Sequence, residues 1–147
     1  MQASEFEKAL LVEAAWRLAK SNDVNELQAI ACVLRNWVVP RLGQEGQFYR
    51  SYPEAIRVHY QTYDLRDVPG ASEPALIDPV DGLLAHIDGV YSGRTPDITS
   101  SHAYPNGARY FGRAGSSPSG SWFTENVLNR QGEHPLIGTF GSQQFFQ

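Results

Sequence analysis

This sequence predicts an α+β chain that is mainly α, and three observations point there. Two stretches before position 40 repeat apolar residues at helical spacing behind capping signals. A further apolar repeat runs from Asp78 to Gly93. Beyond Gly93 the composition turns to Gly, Ser, Pro and aromatics, which suits turns and short hairpins in the C-terminal third. The 147 residues read as one domain, 1–147, large enough to bury a core without disulfides.

Ser4-Glu5-Phe6-Glu7 is a capping box, so a first helix is expected from about Glu5 to Lys20. Positions 9–19 are apolar nearly all round, broken only by Glu13 and Arg17, and this helix is expected to be largely buried. Asp23-Val24-Asn25-Glu26 is a second capping signal. The helix behind it carries Leu27, Ile30, Ala31, Leu34, Trp37 and Val38 on one face, and Pro40 stops it. A third, shorter helix is expected after Ser51, with Pro53 and Glu54 in its first turn and Ile56, Val58 and Tyr60 following. Asp78-Pro79 starts a fourth, with Val80, Leu83, Leu84, Ile87, Val90 and Tyr91 as its apolar face. In the tail, Pro105-Asn106-Gly107 is a turn and 115–121 a flexible loop. Hairpins are expected around Ala103–Phe111 and Ile137–Phe146.

Charge and composition remove several functions. A net charge of −4 with no Lys/Arg cluster argues against nucleic acid as a partner. No segment approaches the ~18 apolar residues of a membrane span. The opening Met1-Gln2-Ala3-Ser4-Glu5 lacks a basic region and an apolar run, so it reads as no signal peptide and the chain as made soluble. The one cysteine, Cys32, sits in an apolar helical run and reads as a buried, inert thiol. His59, His86, His102 and His134 are scattered without ligand spacing, so neither a metal nor another cofactor is expected. A Gly-x-Ser-x-Gly elbow and a phosphate loop are both missing.

Glu13 carries the chemistry that is left. It is a lone carboxylate within Ala9-Leu10-Leu11-Val12-Glu13-Ala14-Ala15-Trp16. On a helix it shares a sector with Phe6, Ala9 and Leu10, and apolar surroundings make its ionisation costly and raise its pKa. A carboxylic acid still protonated near neutral pH is what cleavage of a glycosidic bond requires. The competing reading is an i,i+4 surface ion pair with Arg17, which lowers the pKa and leaves no catalyst. The aromatics Tyr104, Tyr110, Phe111, Trp122, Phe123, Phe140, Phe145 and Phe146 crowd the last third among polar residues. Sugars offer apolar ring faces edged by hydroxyls, which such a mixture suits, although core packing explains the same residues.

Four segments carry a resemblance to a known family: Val12-Glu13-Ala14, then 27–36 (Leu27-Gln28-Ala29-Ile30-Ala31-Cys32-Val33-Leu34-Arg35-Asn36), then Asn106-Gly107-Ala108-Arg109-Tyr110-Phe111, and the terminal Ile137-Gly138 with Gln143-Gln144-Phe145-Phe146. In this order they resemble the spore-cortex-lytic (SleB) type of cell wall hydrolase, a lysozyme-like family that cleaves peptidoglycan. The resemblance implies a lysozyme-like helical domain with a small sheet, and peptidoglycan glycan strands as substrate. It implies that Glu13 is the catalytic acid; from the resemblance together with the aromatic and polar character of the last third, Gln28, Asn36, His102, Tyr110, Phe111, Trp122, Gln143 and Phe145 are expected to bind the substrate. Lytic transglycosylases, which the family resembles, work with one Glu as acid and then base.

The chain departs from the family pattern in three places. Arg17 stands where a second Glu is usual, the connection from Glu13 to Gln28 is longer, and Gln143 replaces a His. Asp23, Glu26, Asp97 and Glu125 are the other acids available, and each reads more simply as a cap or a solvated loop residue. A different class of function is a non-catalytic glycan-binding or virion-structural module that keeps the lysozyme-like core. Delivery by a phage-like particle or a holin would explain action at the cell wall without a signal peptide, which makes phage or virion components candidate partners.

Overall fold

A computed structural model describes residues 14–21, 23–38, 51, 53–55, 96–113 and 122–147. Glu13 and the capping box at 4–7, Pro40, the 56–60 part of the third helix, the fourth helix of the sequence reading (Asp78 to Gly93) and the 115–121 loop lie outside the described residues.

Residues 14–18 are helical, with Ala14, Ala15, Leu18 and Ala19 buried. The expected second helix forms as α1, Val24–Val38. Its cap is Asp23, whose Oδ1 accepts the amide of Asn25 at 2.8 Å, the bond an N-terminal Asp supplies to an otherwise unpaired helix amide. Between Glu26 and Val38 only Gln28 and Arg35 are half-buried, so α1 is the central helix of the core. At the third expected helix, residues 53–55 are helical behind Ser51, whose carbonyl accepts the Ala55 amide and whose Oγ accepts that of Glu54.

The C-terminal third supplies a three-stranded antiparallel sheet: β1 Tyr110–Arg113, β2 Leu136–Phe140 and β3 Gln143–Phe146, in the order β1-β3-β2. The chain is therefore α+β. β2 and β3 form the hairpin expected over Ile137–Phe146, turning through Gly141 at φ +60°. The hairpin expected over Ala103–Phe111 does not form. The Pro105-Asn106 turn closes, with the Gly107 amide donating to the Tyr104 carbonyl at 3.1 Å. Ser101, however, bonds locally to Tyr104 through both its amide and its Oγ, which removes it from any ladder. Phe111 pairs instead with Phe145 across to β3.

Alternation along β3 sends its side chains to two layers. Gln143 and Phe145 face the helices, where Phe145 and Phe111 join Ala14, Leu18, Ile30, Leu34 and Ala108 in the main core. Phe146 faces the other way, onto Phe123 and Val127. Those two residues come from a short helix, α2 Trp122–Asn126, and the turn that leads into a 3-10 segment, Leu128–Arg130. Five residues carry too little periodicity for α2 to be read from sequence. Among the described residues, no helix is long and apolar enough to cross a membrane.

Candidate functional site

Two buried carboxylates organise the described residues. Glu26 is fully buried beside the N-terminus of α1. Its Oε2 accepts the amides of Lys20 (2.6 Å) and Ser21 (3.0 Å) and the Nε2 of Gln143 (3.3 Å). Its Oε1 accepts the Oγ of Ser21 (3.0 Å) and both the amide (2.7 Å) and the Oγ (2.6 Å) of Ser142. One side chain thus ties three segments together: the chain leaving residues 14–18, the start of α1, and the β2–β3 turn. The turn approaches closely because residue 141 is glycine. A Cβ there would lie 2.7 Å from the Cβ of Glu26 and 2.8 Å from its Oε1. Burial alone raises the Glu26 pKa, but the bonds from Ser142, Lys20 and Gln143 outweigh it and hold the pKa below the usual glutamate value. Glu26 is an ionised anchor.

Asp97 organises the second cluster. Its Oδ1 accepts the amide and the Oγ1 of Thr99 at 2.8 and 2.6 Å, and its Oδ2 accepts the Nδ2 of Asn36 at 2.9 Å. The same Nδ2 donates to the Ala108 carbonyl at 2.8 Å, and Thr99 Oγ1 accepts the Ala108 amide at 2.8 Å. Gly107, at φ +70°, fits between these groups. Beside it, the indole of Trp37 donates to the Arg109 carbonyl at 2.7 Å. The segment 97–109 is thereby clamped to the last turns of α1. Cys32 lies in this region fully buried, and burial followed by the nearby Asp97 charge pushes its thiol pKa far up. The thiol is inert, as the sequence suggested.

The predicted site residues separate into three groups. Glu13 is outside the described residues, as is the side chain of Trp122, which opens α2. Gln28 and Tyr110 are half-buried and His102 is exposed, so each keeps surface that a ligand can meet. Tyr110 packs edge-on between Trp37 (5.3 Å) and His134 (4.7 Å). The remaining four are interior, which corrects the expectation that they line a cleft. Phe111 and Phe145 stack at 5.5 Å in the core with no face left for a sugar ring. Asn36 is 2% exposed, and its Nδ2 donates to Asp97 and to the Ala108 carbonyl. Gln143 turns inward, donating to the Leu18 carbonyl at 3.1 Å and to Glu26.

Sequence reasoning undervalued Glu26 and Asp97, which it read as a cap and a loop acid. Both are enclosed by donors, which leaves neither open to a sugar oxygen. A signal was present in Glu26: an acid at the third position of a helix that is otherwise buried needs partners from elsewhere in the chain. Comparison with known protein families, with curated proteins and with solved structures finds nothing that matches this chain.

Proposed function

We propose that this chain is a lysozyme-like peptidoglycan-cleaving enzyme that acts as a lytic transglycosylase, with Glu13 as its acid and then its base. Glu13 protonates the glycosidic oxygen between the muramic acid and its neighbour. As a carboxylate it then takes the proton of the muramic C6 hydroxyl, whose oxygen closes on C1 to give a 1,6-anhydro sugar. The internal nucleophile stands in for both water and a second carboxylate, and its proximity supplies part of the rate. Of the four other acids named from the sequence, Glu26 and Asp97 are enclosed by other bonds, while Asp23 and Glu125 are exposed. Enzyme and substrate meet at the cell wall.

One observation carries the reading. The described parts of the four segments of the resemblance contribute Ala14, Ile30, Ala31, Ala108, Phe111 and Phe145 to one core, with Ile137 packed against it, while Phe146 faces the second layer. Glu13 directly precedes Ala14 in the chain. The test is the muropeptide spectrum of digested murein for the wild type beside Glu13→Gln. Anhydromuropeptides from the wild type and none from the variant are expected. Reducing ends alone mean hydrolysis, and no release of muropeptides sinks the enzymatic reading.

The inward-turned Gln143 favours a second reading, a glycan-binding or virion-structural module that keeps the core without the reaction. It predicts that the protein sediments with purified cell walls, equally for wild type and Glu13→Gln, and releases nothing.

A further inference from the structure

We propose that His134 is a ligand-binding residue, anchored through Nδ1 so that Nε2 accepts a hydroxyl of a glycan lying beside Tyr110. The choice of a glycan rests on the function proposed above; the geometry of the site does not. His134 stands at the end of the sheet where Tyr110 opens β1, Phe146 ends β3 and Leu136 opens β2, three residues that are partners in register. Its amide donates to the Arg130 carbonyl at 2.9 Å. Its Nδ1 lies 2.9 Å from the main-chain oxygen of Gln147, whose own amide donates to the Pro135 carbonyl at 3.0 Å. Its ring meets the Tyr110 ring edge-on, with centroids 4.7 Å apart. Backbone, ring nitrogen and ring edge are thus all held.

A main-chain oxygen can only accept, so the partner places a proton on Nδ1 and leaves Nε2 of the neutral ring as an acceptor. Among the described residues Nε2 has no hydrogen-bond partner, and it is not enclosed, His134 being half-buried. A surface imidazole bonded only to water changes rotamer freely. This one is fixed with a single acceptor atom facing out. Orienting one nitrogen by a main-chain oxygen is how proteins aim the other at a hydroxyl or a metal ion. The surroundings favour the hydroxyl. No group of three His, Cys, Asp or Glu side chains that could hold a metal ion occurs among the described residues. Apolar surface does lie close by, from half-buried Tyr110 and exposed Leu136. A sugar offers what this pair of features takes, an apolar ring face edged by hydroxyl donors.

The experiment measures affinity for soluble, peptide-free glycan strands at pH 8 by calorimetry. The parent is Glu13→Gln, so that strands are not consumed, and His134→Asn or His134→Phe is added to it. Asn keeps an N–H donor near the place of Nδ1 and lacks Nε2; Phe keeps the ring against Tyr110 and lacks both nitrogens. Circular dichroism reports the folded fraction, and His134→Asn tests the idea even where His134→Phe fails to fold. Expected for His134→Asn is a native fold and about tenfold weaker binding, the loss of one neutral hydrogen bond. Nitrogen-resolved NMR of the free parent should find the ring proton on Nδ1, and added strands should shift the Nε2 resonance. A proton on Nε2, no binding by the parent, or parent affinity in His134→Asn overturns the proposal. So does a loss that only follows the folded fraction, or zinc alone binding the parent and not His134→Asn. The proposed function is judged separately, by muropeptides from the wild type. If none appear while strands still bind through His134, the enzyme reading falls and this site stands. If they appear while His134→Asn binds like its parent, the site falls and the enzyme reading stands.

Discussion

Alanine at Gly107 places a methyl group where the second carboxylate cluster leaves no room. The added Cβ would lie 2.3 Å from Asp97 Oδ2, 2.8 Å from Thr99 Oγ1 and 3.0 Å from Asn36 Nδ2. None of these is the loose end of a long side chain, because each is held by hydrogen bonds of 2.6 to 2.9 Å. The backbone adds its own cost, since φ is +70° and an L side chain there loses about 1–2 kcal/mol. Forcing a methyl into a packed polar cluster costs about a further 1–3 kcal/mol. The sum, about 2–5 kcal/mol, is a large part of the stability of an ordinary domain. For a chain of this size it corresponds to a fall in Tm of roughly 4–20 °C. Thermal unfolding followed by circular dichroism measures it, with Gly132→Ala as the control. Gly132 has nothing within 4 Å of an added Cβ, so its variant should unfold within a degree or two of wild type, an effect of about 0.5 kcal/mol or less. Equal Tm values for the two variants would refute the packing described around Asp97.

Three further outcomes follow from the same geometry. The folded-state pKa of Glu26 lies below the ordinary 4.5, so its contribution is present above that value and is lost as pH falls below it; Tm measured against pH should drop in that range, and Glu26→Gln should flatten the drop while costing at least about 2 kcal/mol at neutral pH. Cys32 should resist thiol reagents at pH 8 in the native protein and react only as fast as the protein unfolds, and stoichiometric labelling without unfolding contradicts its burial. Phe145→Ala should cost about 3–5 kcal/mol by denaturant unfolding yet leave the affinity of the folded protein for glycan strands unchanged, whereas a specific loss of affinity restores Phe145 to the cleft.

Local signals were enough for several elements. Asp23 caps α1 and the apolar repeat from Leu27 to Val38 buries it, because both depend on neighbours within a turn or two. Ser51 and the β2–β3 hairpin belong to the same class, and so does the buried Cys32. For the candidate site the sequence was a poorer guide. Phe111 and Phe145 were chosen as aromatics within matching motifs, and Asn36 and Gln143 by their motif positions, and neither ground separates a cleft wall from a core. Gly107 was legible as a turn residue, but its second task, making room for Asp97 and Thr99, was not.

What the chain determines by itself is therefore where helices begin, where turns close and which positions are apolar, since these follow from short-range sterics and periodicity. Only the tertiary structure decided which polar groups could be buried. Asn36 meets Asp97 across 61 positions, Ser142 reaches Glu26 across 116, and Gln143 reaches Leu18 across 125. A buried carboxylate or amide is tolerated only where donors and acceptors surround it. Here the partners come from segments remote in sequence, which no local pattern brings together.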